Sequence, residues 1–188
     1  MPTWFTQPFA TLAAAGAAIL ISLITTFITL LNSRRQDSRG AFRDLLTENV
    51  GELSDGLHQI IATSSILLKT KSPESQKAWV VKGSQAKAKL MKCRSTLRYP
   101  LWGITDSLNT LARLPSWAAH VKRYPSAAEA LVKAGDDLRE RINEAVFYAV
   151  MKGKRPKRSL RKSVLAAENR LIEVYRKFRN TDFEEQVK

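Results

Sequence analysis

The sequence predicts an all-α protein: one N-terminal transmembrane helix followed by a cytoplasmic helical bundle of about five helices. Three observations carry this expectation. Residues 1–33 contain no Lys, Arg, Asp or Glu, in a chain that otherwise holds 31 basic and 17 acidic side chains. Apolar side chains after Arg34 recur at the three- and four-residue steps of amphipathic helices. No convincing strand, with its two-residue alternation, is found.

The charge-free leader sets the first element. A bilayer core is ~30 Å thick and a helix rises ~1.5 Å per residue, so about 20 residues span it. Phe9 to Leu31 meets that length with a small surplus for tilt. Arg34, Arg35, Arg39 and Arg43 follow closely, whereas no basic residue precedes the span. The positive-inside rule then places the N-terminus outside and the C-terminus in the cytoplasm, with Trp4, Phe5 and Phe9 at the outer headgroups. A cleaved signal peptide needs a basic n-region, and Met1 to Gln7 has none. The expected division is an extracytoplasmic tip and span at 1–33, a basic bundle at 34–180 and a tail at 181–188.

Phe42, Leu46, Val50, Leu53, Leu57, Ile60, Ser64 and Leu67 form one stripe on a long helix reaching about Lys71. Ser72, Pro73 and Glu74 read as the N-cap, first position and dipole-favoured acid of a second helix. It carries Trp79, Ala86, Leu90, Cys93 and Leu97 on one side and ends at Tyr99-Pro100. Leu101 to Tyr124 is broken into short pieces by Pro100, Pro115 and Pro125, and its Trp102, Ile104, Leu108, Leu111, Leu114 and Trp117 read as core. Ser126 to Glu129 has the capping-box pattern. The helix it opens buries Ala127, Leu131, Ala134, Leu138, Ile142, Ala145, Val146 and Ala149. Gly153 to Pro156 breaks the chain, and a last helix shows Val164, Ala167, Leu171, Val174, Tyr175 and Phe178.

Within the expected span, Thr11, Ala15, Ala18, Ser22, Thr25, Thr29 and Asn32 follow at alternating steps of four and three. In lipid, helices associate through close backbone approach and interhelical hydrogen bonds. This line therefore predicts a homo-oligomer, with the hydroxyls facing a shared axis. The alternative is that each Ser and Thr bonds the carbonyl four residues back.

The formal net charge is +14. Lys69 to Arg98 holds nine cations against Glu74 alone. Lys152, Lys154, Arg155, Lys157, Arg158, Arg161 and Lys162 crowd one short run with no acid. Such runs attract anionic lipid or nucleic acid, or simply remain a solvated face. Cys93 is the only cysteine, which excludes an intrachain disulfide and a thiolate zinc cluster.

Catalytic signals are sparse. His58 falls on the first helix as a bundle-boundary residue. Arg113 and His120 fit an R-x(4–6)-H spacing, which resembles the motif of HEPN-type ribonucleases, small helical bundles that act as dimers. The resemblance implies that Arg113 stabilises phosphate charge and His120 moves protons. Leu114 stands where that motif carries a polar residue, and Pro115 falls inside the motif helix. The plainer reading is a basic pair on a surface turn. No Gly-rich phosphate loop, H-E-x-x-H, G-x-S-x-G or metal-spaced acidic cluster occurs, so neither metal nor cofactor is expected. Asp136, Asp137, Glu140 and Glu144 alternate with Arg139 and Arg141 as a solvated helix face does.

In overall plan the chain resembles the small membrane effectors of bacterial antiphage systems: retron membrane effectors and membrane accessory proteins of RNA-targeting CRISPR loci. The resemblance lies in length, one uncharged span, a basic bundle and a hydroxyl-lined helix face. It implies a non-enzymatic inner-membrane protein that oligomerises and permeabilises the membrane, controlled by a nucleoprotein or nucleic acid on its basic domain. Two alternatives stand beside it. One is a membrane-tethered adaptor that binds protein or nucleic acid without forming a pore, and the other is a degenerate HEPN-like RNA-processing domain.

Overall fold

The computed structural model describes the backbone of residues 6–121 and 124–186, and the side chains of these residues except 6–21, 23, 24, 125 and 180–186. Among the described residues six helices follow in order: α1 (Thr6–Lys69), α2 (Pro73–Thr96), α3 (Thr105–Leu111), α4 (Leu114–Val121), α5 (Pro125–Lys152) and α6 (Arg158–Gln186). No strand occurs among the described residues. The chain divides into two compact units, residues 1–41 and 42–188.

The first unit corrects the expectation of a transmembrane helix. Among the described residues, no helix is long and apolar enough to cross a membrane. Much of the expected span, including Thr11, Ala15 and Ala18, lies outside the described side chains, and Trp4 and Phe5 lie outside the described residues. The single-pass inner-membrane topology, the lipid partner and the pore were built on that span and have no support here.

Part of the expected hydroxyl face falls among the described side chains. Ser22, Thr25 and Thr29 are exposed. The Thr29 hydroxyl donates to the Thr25 carbonyl and that of Thr26 to the Ser22 carbonyl, each at 2.8 Å. The Thr29 and Thr26 hydroxyls thus bond within their own helix turn.

In the second unit the apolar stripe of α1 is the floor of the core. Leu46, Leu53, Leu57, Ile60 and Leu67 are buried, with Phe42 and Val50 half-buried beside them. Ser64 is also buried, its hydroxyl donating to the Ile60 carbonyl at 2.7 Å. Helix α2 starts where Pro73 sets the first helical φ, after Ser72 in extended geometry. The Ser72 side chain makes no cap hydrogen bond; its carbonyl instead accepts the Gln76 N–H at 3.0 Å. Gly83, Ala86, Leu90 and Cys93 form the buried face of α2.

The proline-rich middle folds into α3 and α4. Pro115 lies in the first turn of α4, where a missing N–H costs nothing, so it starts this helix rather than interrupting it. Helix α5 also begins on a proline. Tyr124 is the N-cap and Pro125 opens the helix, so the expected Ser126 capping box does not form, and Ser126 is exposed. The fixed φ of Pro125 starts the helix before a serine cap is reached.

Helices α5 and α6 make a hairpin around Leu131, Leu138, Ile142, Ala145, Ala149, Val164, Ala167 and Leu171, all buried. Helix α6 continues through Asn180 to Gln186. One polar link crosses the core: the Glu168 carboxylate accepts the Ser107 hydroxyl at 2.7 Å and that of Thr110. Outside it, Arg139 pairs with Asp136 at 2.8 Å, Arg141 with Glu144 at 3.2 Å, and Arg170 with Asp137 at 3.5 Å. This is the paired, solvated face expected of that stretch, and such exposed pairs contribute ~0–1 kcal/mol each.

Candidate nucleic-acid interface

The turn from α5 to α6 gathers the densest positive charge of the chain. Helix α5 ends because Gly153 takes the left-handed conformation (φ 57°, ψ 36°), with its N–H on the Ala149 carbonyl. Buried Pro156 then keeps the connection short. Lys152, Lys154, Lys157, Arg158 and Lys162 are exposed, and Arg155 and Arg161 are half-buried. All seven cations of the run thus meet at one end of the helical hairpin.

Carboxylates pair with some cations elsewhere in the chain. Arg139, Arg141, Arg170, Lys92, Arg94 and Lys177 each have a carboxylate partner. Among the described residues none of the seven has one. Seven like charges on a short turn repel one another, and no carboxylate among the described residues pairs with them.

Aromatic rings occupy the gap left by acids. The Arg155 guanidinium lies over Tyr99, 4.0 Å from its centroid, and over Trp102 at 4.9 Å. Lys157 lies 5.3 Å from the centroid of Tyr148. Phe42 meets the edge of Tyr99 at 6.5 Å, and the neighbouring Arg43 donates to the Met151 carbonyl at 3.4 Å. Cation–π contacts of this kind contribute ~0.5–1 kcal/mol at exposed sites without neutralising the cation.

Tyr99 and Trp102 sit on the turn between α2 and α3, far from Arg155 in sequence. Leu97, Pro100, Leu101 and Ile104 of this segment point into the core. The two rings point out, 67% and 61% exposed. This corrects the expectation of Trp102 as a core residue. The turn is fixed by the Leu101 N–H on the Leu97 carbonyl at 2.9 Å and the Ile104 N–H on the Leu101 carbonyl at 3.1 Å. Gly103 closes it at φ +86°, and a Cβ there would lie 2.9 Å from Cδ of Arg161. The aromatic turn therefore rests on the basic helix.

Sequence reasoning located the seven cations but missed both rings. Tyr99 reads as a helix-ending residue, and Trp102 as one more large apolar side chain. The available signal was local: residues 97–104 lack helical periodicity, so burial could not be inferred from a face.

In the second basic region three of the nine cations have partners of their own. Lys92 pairs with Glu52 at 3.1 Å, Arg94 with Asp106 at 2.8 Å, and Lys82 lies over Trp79 at 4.1 Å. Arg113 and His120 stand at opposite ends of α4, both exposed. His120 lines a cavity of about 230 Å³ with Val121, Tyr124, Tyr175, Phe178 and Arg179, and Arg113 is not part of its wall. His58 is exposed on α1. Among the described residues, no group of His, Cys, Asp and Glu has the arrangement of a metal site. No family model, curated protein or solved structure matches this chain.

Proposed function

We propose that this protein is a helical adaptor that holds nucleic acid at the α5–α6 turn, acting by binding and not by bond cleavage. The carrying observation is the gathering of seven cations on one short turn, none with a carboxylate partner among the described residues. A phosphate backbone supplies the missing anions at a spacing such a turn can follow, and release of its counterions drives association. The membrane-permeabilising effector expected from the leader is replaced by this reading. The ribonuclease alternative gains no support from the cavity that His120 lines, whose wall does not include Arg113.

The test is fluorescence anisotropy with purified full-length protein and labelled oligonucleotides at low salt. Joint replacement of Lys154, Lys157, Arg158 and Lys162 by glutamine should weaken binding at least tenfold. Lys92→Gln, at a cation already paired with Glu52, should leave it unchanged. A wild-type protein that binds no nucleic acid, or a quadruple variant that binds as the wild type does, refutes the reading.

A further inference from the structure

We infer that the Tyr99–Trp102 turn is a base-stacking platform, which makes the ligand of the cationic end a single strand rather than a duplex. This rests on the nucleic-acid reading of the α5–α6 turn and adds to it the form of the ligand. Large aromatic side chains are normally mostly buried, yet here two of them stand open side by side on one short turn. The fold holds them there: buried Leu97, Pro100, Leu101 and Ile104 anchor the segment, and the Gly103 bend seats it on Arg161. Such rings are pre-positioned, so little ordering cost opposes a ligand.

Chemistry selects the occupant. Arg155 lies over one face of each ring, adding a planar cation beside the remaining exposed π-surface. An unpaired base stacks on such a surface whatever its identity, while its phosphates run toward Lys154, Lys157 and Arg158. Bases inside a duplex are stacked on each other and present only their edges, so a duplex meets the phosphate contacts alone. A lipid headgroup region attracts cations and aromatic rings too, so phosphatidylserine vesicles form a separate arm of the test.

The experiment compares a 20-nucleotide oligothymidine with a 20-base-pair duplex at one salt concentration, using full-length wild type, Tyr99→Ala, Trp102→Ala and Trp102→Phe. The wild type should prefer the single strand. Each alanine variant should lose about tenfold in single-strand affinity, keep its duplex affinity, and keep the wild-type dependence on salt. Trp102→Phe should retain most of the binding. Both rings are largely exposed, so helix content should match the wild type and the melting temperature should fall by only a few degrees, as loss of an exposed cation–π contact implies. Equal binding of both forms, insensitive to Trp102→Ala, overturns the stacking platform while sparing the phosphate reading. Absence of binding to either nucleic acid overturns both. Trp102-dependent binding to phosphatidylserine vesicles without binding to oligonucleotides also overturns both and makes a lipid surface the occupant.

Discussion

Trp117 of α4 stacks on Tyr175 of α6 with ring centroids 4.3 Å apart and planes 10° from parallel. The contact ties the shortened middle of the chain to its last helix, across a join that periodicity alone does not specify. Trp117→Ala should destabilise the fold by about 2–3 kcal/mol in urea denaturation, less than a fully buried tryptophan because this one is half-exposed. A double-mutant cycle with Tyr175→Ala should return a coupling of about 0.5–1.5 kcal/mol. A coupling of zero would show that the two rings are neighbours without a mutual contribution.

Glu168 holds two hydroxyls of α3, those of Ser107 and Thr110, and Ser107 is almost fully buried. Glu168→Ala leaves both hydroxyls without their acceptor and should cost about 1.5–3 kcal/mol, the range for hydrogen bonds to a charged group. Glu168→Gln keeps one acceptor oxygen and should cost clearly less. Chemical denaturation of the two variants checks the order.

Gly103 combines a left-handed backbone with the side chain of Arg161 packed where a Cβ would go. Gly103→Ala should therefore cost about 1–2 kcal/mol from backbone conformation alone, plus displacement of Arg161. The turn carrying Tyr99 and Trp102 should loosen with it, read as faster amide hydrogen exchange at 101–104. Exchange equal to that of the wild type would mean that the bend does not depend on glycine.

Burial pushes the Cys93 thiol above its ordinary pKa of 9.0, and the negative charge of Glu52 adds to the rise while Lys92 offsets part of it. The folded state thus holds its thiol proton where the unfolded chain has begun to lose it. The sign follows from linkage: this contribution to stability is complete below about pH 9, and is lost as pH climbs from there through the raised folded-state value. Cys93→Ala should flatten the alkaline limb of a stability-versus-pH curve. In native protein at pH 8 the thiol should react with a disulfide reagent far more slowly than in denatured protein.

The parts of the fold legible in the sequence are those where one periodicity dominates. The Leu46-to-Leu67 stripe, the Leu131-to-Ala149 face and the Val164-to-Leu171 face are buried as their spacing requires. Proline chemistry was legible at Pro73 but was outweighed at Ser126, where Pro125 starts the helix before the serine can cap it. The middle resisted because Trp102 and Trp117 have the same composition signal and different fates, one open and one stacked. Charge-free residues before Arg34 read as a bilayer span, yet among the described residues no helix meets that requirement. For the candidate interface, the seven cations were visible as a run. The link from Arg155 to Tyr99 and Trp102 joins segments some fifty residues apart, and no local pattern encodes it.

The most direct test of the cationic end as a phosphate-binding surface is the slope of log affinity against log salt for a single-stranded oligonucleotide. With all seven cations engaged the slope should approach about −5, and the Lys154, Lys157, Arg158 and Lys162 glutamine variant should bring it to about −2. A slope near zero in the wild type, or one that the four substitutions leave unchanged, would contradict the account.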